Sequence, residues 1–113
     1  MTLDPGLLVD ALALHLEHEP LPATQVVAGS PTTGHAVLAE GDTEIGVWEM
    51  TPGEASDVET DEVFIVIAGH GTVRFDMPLL ETITLRPGSV VRLTAGMHTT
   101  WRITETLRKI YIA

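Results

Sequence analysis

The sequence predicts an all-β domain built as an antiparallel sandwich or small barrel, preceded by one short N-terminal helix. Three observations carry this. From His35 onward, short apolar runs are punctuated by turn signals every eight to twelve residues, with no helical period between them. Pairs such as Arg74/Asp76, Thr82/Thr84 and Arg102/Thr104 alternate with apolar residues, as half-exposed strands do. Val63–Ala68 is apolar on both faces, which places it centrally.

The elements follow in order. Asp4-Pro5 has the form of a helix start, an N-cap followed by proline at the first helical position. Leu7, Leu8, Ala11, Leu12, Leu14 and Leu16 then make a wide apolar stripe ending before Pro20. Leu12, Leu14 and Leu16 also alternate as a strand would, but length and Ala/Leu content favour a helix over about 5–18. Residues 20–34 are a connection rich in Pro, Thr, Gly and Ser, with an extended piece at 24–28. Strands are expected at about 35–40, 44–51, 62–68, 72–77, 81–85, 89–94, 98–104 and 107–112. The expected breaks include Gly41-Asp42, Pro52-Gly53, a tight turn at Gly69-His70-Gly71, Pro87-Gly88, Ala95-Gly96 and Glu105. The chain thus divides into an N-terminal helix and connection, 1–34, and a barrel, 35–113, within one domain.

Charge and composition bound the function. The 113 residues carry a net charge of −10, and all thirteen ionisable Asp, Glu, Lys or Arg side chains in residues 1–73 are acidic. Such a balance argues against nucleic acid and anionic membranes as partners. The bland reading of most of these carboxylates is solubility. The absence of cysteine excludes disulfides and thiolate metal sites and is compatible with a cytoplasmic location. Neither a signal peptide nor an apolar run of membrane-spanning length is read.

Two motifs in order carry a family resemblance. The first is Glu62, six residues and Gly69, with Pro52-Gly53 upstream. The second is Arg86-Pro87-Gly88-Ser89, a strand, and Thr94-Ala95-Gly96. With Gly46-Val47-Trp48-Glu49, Thr100-Trp101 and Arg108-Lys109-Ile110-Tyr111, the pattern over about 44–112 resembles the cupin superfamily. Within it the pattern looks like the cupin_3 group of ureidoglycine aminohydrolase-like and ethanolamine-utilisation accessory proteins. The resemblance implies a double-stranded β-helix, a jelly-roll-like barrel of two antiparallel sheets with a pocket inside.

Family metal sites imply two His and a Glu from the first motif and one His from the second, donors suited to Mn, Fe, Ni or Zn. Here the matching positions hold Ser56 and Val58, or Ala55 and Asp57 at one-longer spacing, and Thr99. His98 stands one place early, on the other face of a strand. Glu62 alone survives, so no metal is expected and no other cofactor is implied. Any rearranged site would have to use Glu62 and His98 with Asp57 or Glu59.

Strand parity assembles a pocket. If Thr99 faces inward, so do Trp101, Leu93 and Val91, opposite Glu62, Phe64 and Val66, with Trp48 and Met50 on the preceding strand. The expected pocket is therefore Trp48, Met50, Glu62, Phe64, Leu93, Thr99 and Trp101, suited to a small, partly polar molecule. Glu62 in such an apolar wall could serve as a general acid or base. Each residue also has a structural reading: the tryptophans as core, Glu62 as a surface carboxylate, His70 as an exposed turn tip, His15 and His18 as surface groups. Three functions follow in order: a metal-independent cupin binding a small metabolite, a cupin enzyme using Glu62 as acid or base or a non-standard metal site, and a structural or accessory subunit. The apolar N-terminal stretch and Met77-Pro78-Leu79-Leu80 motivate the third, and a homodimer is expected because the resemblance implies pairing through sheet edges and the N-terminal leucines exceed what a free surface helix shows.

Overall fold

The computed structural model describes residues 3–113, and among them the chain forms nine strands and no helix. They are β1 (Glu19–Pro20), β2 (Val26–Ala28), β3 (Thr32–Glu40), β4 (Glu44–Met50), β5 (Gly53–Val58), β6 (Glu62–Met77), β7 (Leu80–Leu85), β8 (Val90–Leu93) and β9 (His98–Ile112). All pairings are antiparallel.

Two long strands organise the molecule. β6 and β9 pair along nearly their whole length, from Val63↔Ile112 to Met77↔His98. The C-terminal half of β9 pairs with β4, which continues to β3 and β1, while the N-terminal half of β6 pairs with β8. The other halves carry β5 and β2 on one side and β7 on the other. The result is two curled antiparallel sheets that share β6 and β9. The core between them holds Met50, Phe64, Val66, Val73, Phe75, Leu85, Leu93, Trp101, Ile103 and Leu107.

The tight turn expected at Gly69-His70-Gly71 does not exist, and neither does the break at Glu105. β6 runs straight through both glycines, and its register against β9 shifts repeatedly between Val66 and Gly71. The irregularity bends both strands and changes parity. Phe64 and Val66 face the core before it, Val73 and Phe75 after it. Gly69 is required there: its φ is +86°, and a Cβ would collide with the Thr106 backbone of the paired strand. Glycines that read as a turn are instead what lets two backbones approach closely at a bend. The acidic stretch from Gly53 also differs from expectation, since Gly53–Val58 is a strand paired with both β9 and β2.

The helix expected at 5–18 is absent. Two isolated turns stand in its place: the Asp4 carbonyl accepts from the Leu7 N–H at 3.0 Å, and at Asp10 the Oδ1 accepts from the Leu12 and Ala13 N–H groups at 3.0 and 3.3 Å and the carbonyl from Leu14 at 3.0 Å. A helix would consume the carbonyls of residues 11–14 internally. Here Arg108 Nη1 donates to Ala11, Leu12 and Leu14, at 2.9, 3.3 and 2.6 Å. The segment lies on the outer face of β3 and β4, where Leu16 joins Leu38 and Val47, with Leu3, Val9 and Leu14 packed against them. Leu7, Leu8 and Leu12 stay exposed.

Candidate functional site

The inward face of β9 builds the site. Leu107, Lys109 and Tyr111 share one parity and point between the sheets, while Arg108 points out. Lys109 is the only lysine in the chain, and it is 5% exposed. Its Nζ donates to Glu62 Oε2 at 2.7 Å. It also lies 4.4, 4.7 and 4.9 Å from the ring centres of Phe64, Trp48 and Trp101. Trp101 in turn packs on Trp48 and Phe64, with centroids 5.6 and 5.4 Å apart. The electron-rich faces attract the ammonium, and the carboxylate supplies the counter-charge a buried cation needs.

A second carboxylate stands beside this box. Glu59 follows β5, and its backbone is fixed by the Glu59 N–H to Met97 at 2.8 Å and the Gly96 N–H to Glu59 at 3.0 Å. Its Oε2 accepts from Thr99 Oγ1 at 2.7 Å and from the Trp101 indole N–H at 3.1 Å. Tyr111 donates to Glu44 Oε2 at 2.8 Å. Burial, that hydrogen bond and the surrounding carboxylates hold the phenol well above its ordinary range. Tyr111 fits because its strand partner is Gly46, where any Cβ would run into the ring. Asp57 is raised as well, first by burial and then by the charge of Glu59, against the lowering hydrogen bond from Val58.

These groups line a cavity of about 440 Å³ between the sheets. Trp48, Met50, Glu62 and Trp101 lie on its wall. Phe64 and Leu93 do not: both are fully buried core, Phe64 forming the inner face of the lysine box. Thr99 is also off the wall, buried and bonded to Glu59, and borders a shallower depression with His98 and Asp76. Lys109, Glu59, Tyr111, Glu44 and His35 are wall residues that parity over 91–101 could not supply. Lys109 had a signal of its own, a lone lysine sharing parity with Leu107 and Tyr111.

The residues present do not fit the metal implied by the family resemblance. Among the described residues no three His, Asp or Glu side chains converge as a metal-binding group. The surviving carboxylate, Glu62, is already engaged by an ammonium. His98 is exposed at the start of β9, and His18 is bonded to Glu49 and Thr32 on the outer face. His70 is exposed and bonded to Glu105, on a strand rather than at a turn tip.

Residues 37–111 match the family model of the EutQ-like cupin domain. A solved protein of unknown function of the DUF861 family from Pseudomonas syringae pv. tomato DC3000 is 26% identical, with a TM-score of 0.76. That match covers 92% of this chain but 46% of the other, so this chain spans about half its length. The Clostridium difficile EutQ protein is 17% identical over 73% of this chain and 67% of its own, with a TM-score of 0.62. A cupin-2 domain protein from Shewanella frigidimarina NCIMB 400 is 25% identical over 70% and 78%, with a TM-score of 0.57. A search of curated proteins finds no match.

Proposed function

The chain belongs to the EutQ-like cupin domain family, and on that premise we propose that it binds a small organic molecule in the barrel cavity without a metal. The observation that carries this reading is the cavity itself. Its volume of about 440 Å³ lies within the usual range for small-molecule sites, and its wall combines Trp48, Trp101 and Met50 with a few fixed polar groups. Exposed His35, Val58 and Ala113 lie at its open side, so a ligand has a way in.

Acid–base catalysis by Glu62 has weaker support, because its Oε2 holds the ammonium of Lys109. A carboxylate clamped in this way is suited to keeping the aromatic wall in place. The ligand would lie against Trp48 and Trp101, the only two tryptophans, so intrinsic fluorescence should report occupancy.

The test is a metabolite screen by thermal shift and tryptophan emission, repeated with Trp101→Leu. Saturable hits that change emission, and that weaken in the variant, are the expected result. Hits that stabilise the protein while leaving emission unchanged, and bind Trp101→Leu equally, would place binding elsewhere and defeat the proposal.

A further inference from the structure

Sorting the charges on the cavity wall shows which of them remain for a ligand. Lys109 is the fixed cation of the wall, and Glu62 together with three aromatic rings surrounds its Nζ. The phenol of Tyr111 donates to Glu44. Among the described residues Glu44, Glu59 and Asp57 all lack a bonded cationic side chain, and with Glu44 held by that phenol the two that remain are Glu59 and Asp57. Of the two, Glu59 is the built group. Thr99 and Trp101, 1% and 5% exposed, both donate to the same oxygen, and two backbone bonds to the Gly96–Met97 turn hold its main chain. One carboxylate oxygen is thus anchored, the other accepts no hydrogen bond from the described residues, and the residue lies on the cavity wall.

We infer that Glu59 is the ligand anchor of this cavity, and that the ligand presents a cationic nitrogen, an alkylammonium on a small apolar body. The inference rests on the reading that the cavity holds a small molecule, and adds its chemical class. The wall already shows the matching chemistry once: the alkylammonium of Lys109 is held by one carboxylate and aromatic faces. A ligand cation beside Glu59 meets the same counter-charge, a carboxylate, here held by the indole N–H edge of Trp101 rather than set over a ring face. An anionic ligand would instead meet Glu44, Asp57, Glu59 and Glu62 with the one ammonium already engaged.

The experiment is a charge series on the whole chain: n-butylammonium, n-butanol and n-butyrate at constant ionic strength, titrated into ¹⁵N-labelled protein. The two tryptophan indole N–H signals are the readout, since the Trp101 indole is bonded to Glu59. Expected is saturable movement of the Trp101 signal, with n-butylammonium binding about tenfold or more tighter than the neutral and anionic probes. Glu59→Gln should erase that preference, and Thr99→Val, which removes one donor orienting the carboxylate, should reduce it. The charge series in the unmodified protein needs no variant to fold. If n-butyrate binds as tightly as n-butylammonium, or Glu59→Gln keeps the full preference, the inference fails while saturable binding at the indoles still supports the cavity reading. If neither this series nor a metabolite library moves either indole signal, both fall together.

Discussion

Lys109 shows how one side chain can decide what a site is. The residue is 5% exposed, and its counter-ion Glu62 stands where the family resemblance implies a metal ligand. Removing one member of a buried ion pair leaves the other charge uncompensated, at a cost of about 3–5 kcal/mol, whereas replacing both by uncharged groups of similar size is often tolerated. Lys109→Met should therefore destabilise the protein by about that amount in urea unfolding. The double variant Lys109→Met/Glu62→Gln should recover most of the loss. Additive losses in the double variant would show that the two groups act independently. With Glu62→Gln alone as the remaining corner, the cation–π contacts of Lys109 are lost in both variants that carry Lys109→Met, so the cycle isolates the ion-pair contribution.

At the scale of the element, β9 presents two different chemistries on its two faces. Lys109 serves the cavity, and the preceding Arg108 reaches out to Glu49 at 3.1 Å and to three carbonyls of the N-terminal segment. His18 completes the clasp with a 2.6 Å contact to the other Glu49 oxygen. Burial raises the Glu49 carboxyl, but hydrogen bonds from Arg108 and His18 and the charge of Arg108 outweigh it, leaving it below its ordinary 4.5. A carboxyl lowered in the folded state contributes stability that is present above its unfolded pKa and lost as pH falls through the folded one. Stability of the parent should therefore drop as pH falls below about 4.5, and Glu49→Gln should flatten that slope while lowering stability at neutral pH. Parallel pH–stability curves for the two proteins would remove Glu49 from the account.

At the scale of the whole molecule, the chain is compact, with a Cα radius of gyration of 13.8 Å, and no helix among the described residues could cross a membrane. Large apolar side chains nevertheless remain outside, above all Leu8 and Leu79, each about 85% exposed at 86% and 85%. Leu7, Leu12 and Leu80 are also exposed. We propose that a second copy of the chain covers part of this surface as a homodimer. Light scattering at micromolar concentrations should give twice the 12.2 kDa chain mass, and Leu8→Ser or Leu79→Ser should weaken the association. A monomer mass would end the proposal.

The fold class was legible in the sequence because strand spacing, turn chemistry and face alternation are local properties. The family resemblance set which positions face inward, at Glu62 and Thr99, and strand parity extended them to Trp48, Met50 and Trp101, of which Trp48, Met50, Glu62 and Trp101 lie on the cavity wall. Tertiary structure decided the rest. Gly69 and Gly71 read as a turn until β9 is seen paired across them, and the resulting bulge resets the parity of β6. The leucines of 7–16 read as a helix until Arg108, about a hundred residues away in sequence, claims their carbonyls. Glu62 reads as the free acid of the pocket until Lys109, 47 residues later, is found on it. In each case the deciding group is remote in sequence. Which carboxylate keeps its charge for a ligand depends on distances that only the closed barrel sets.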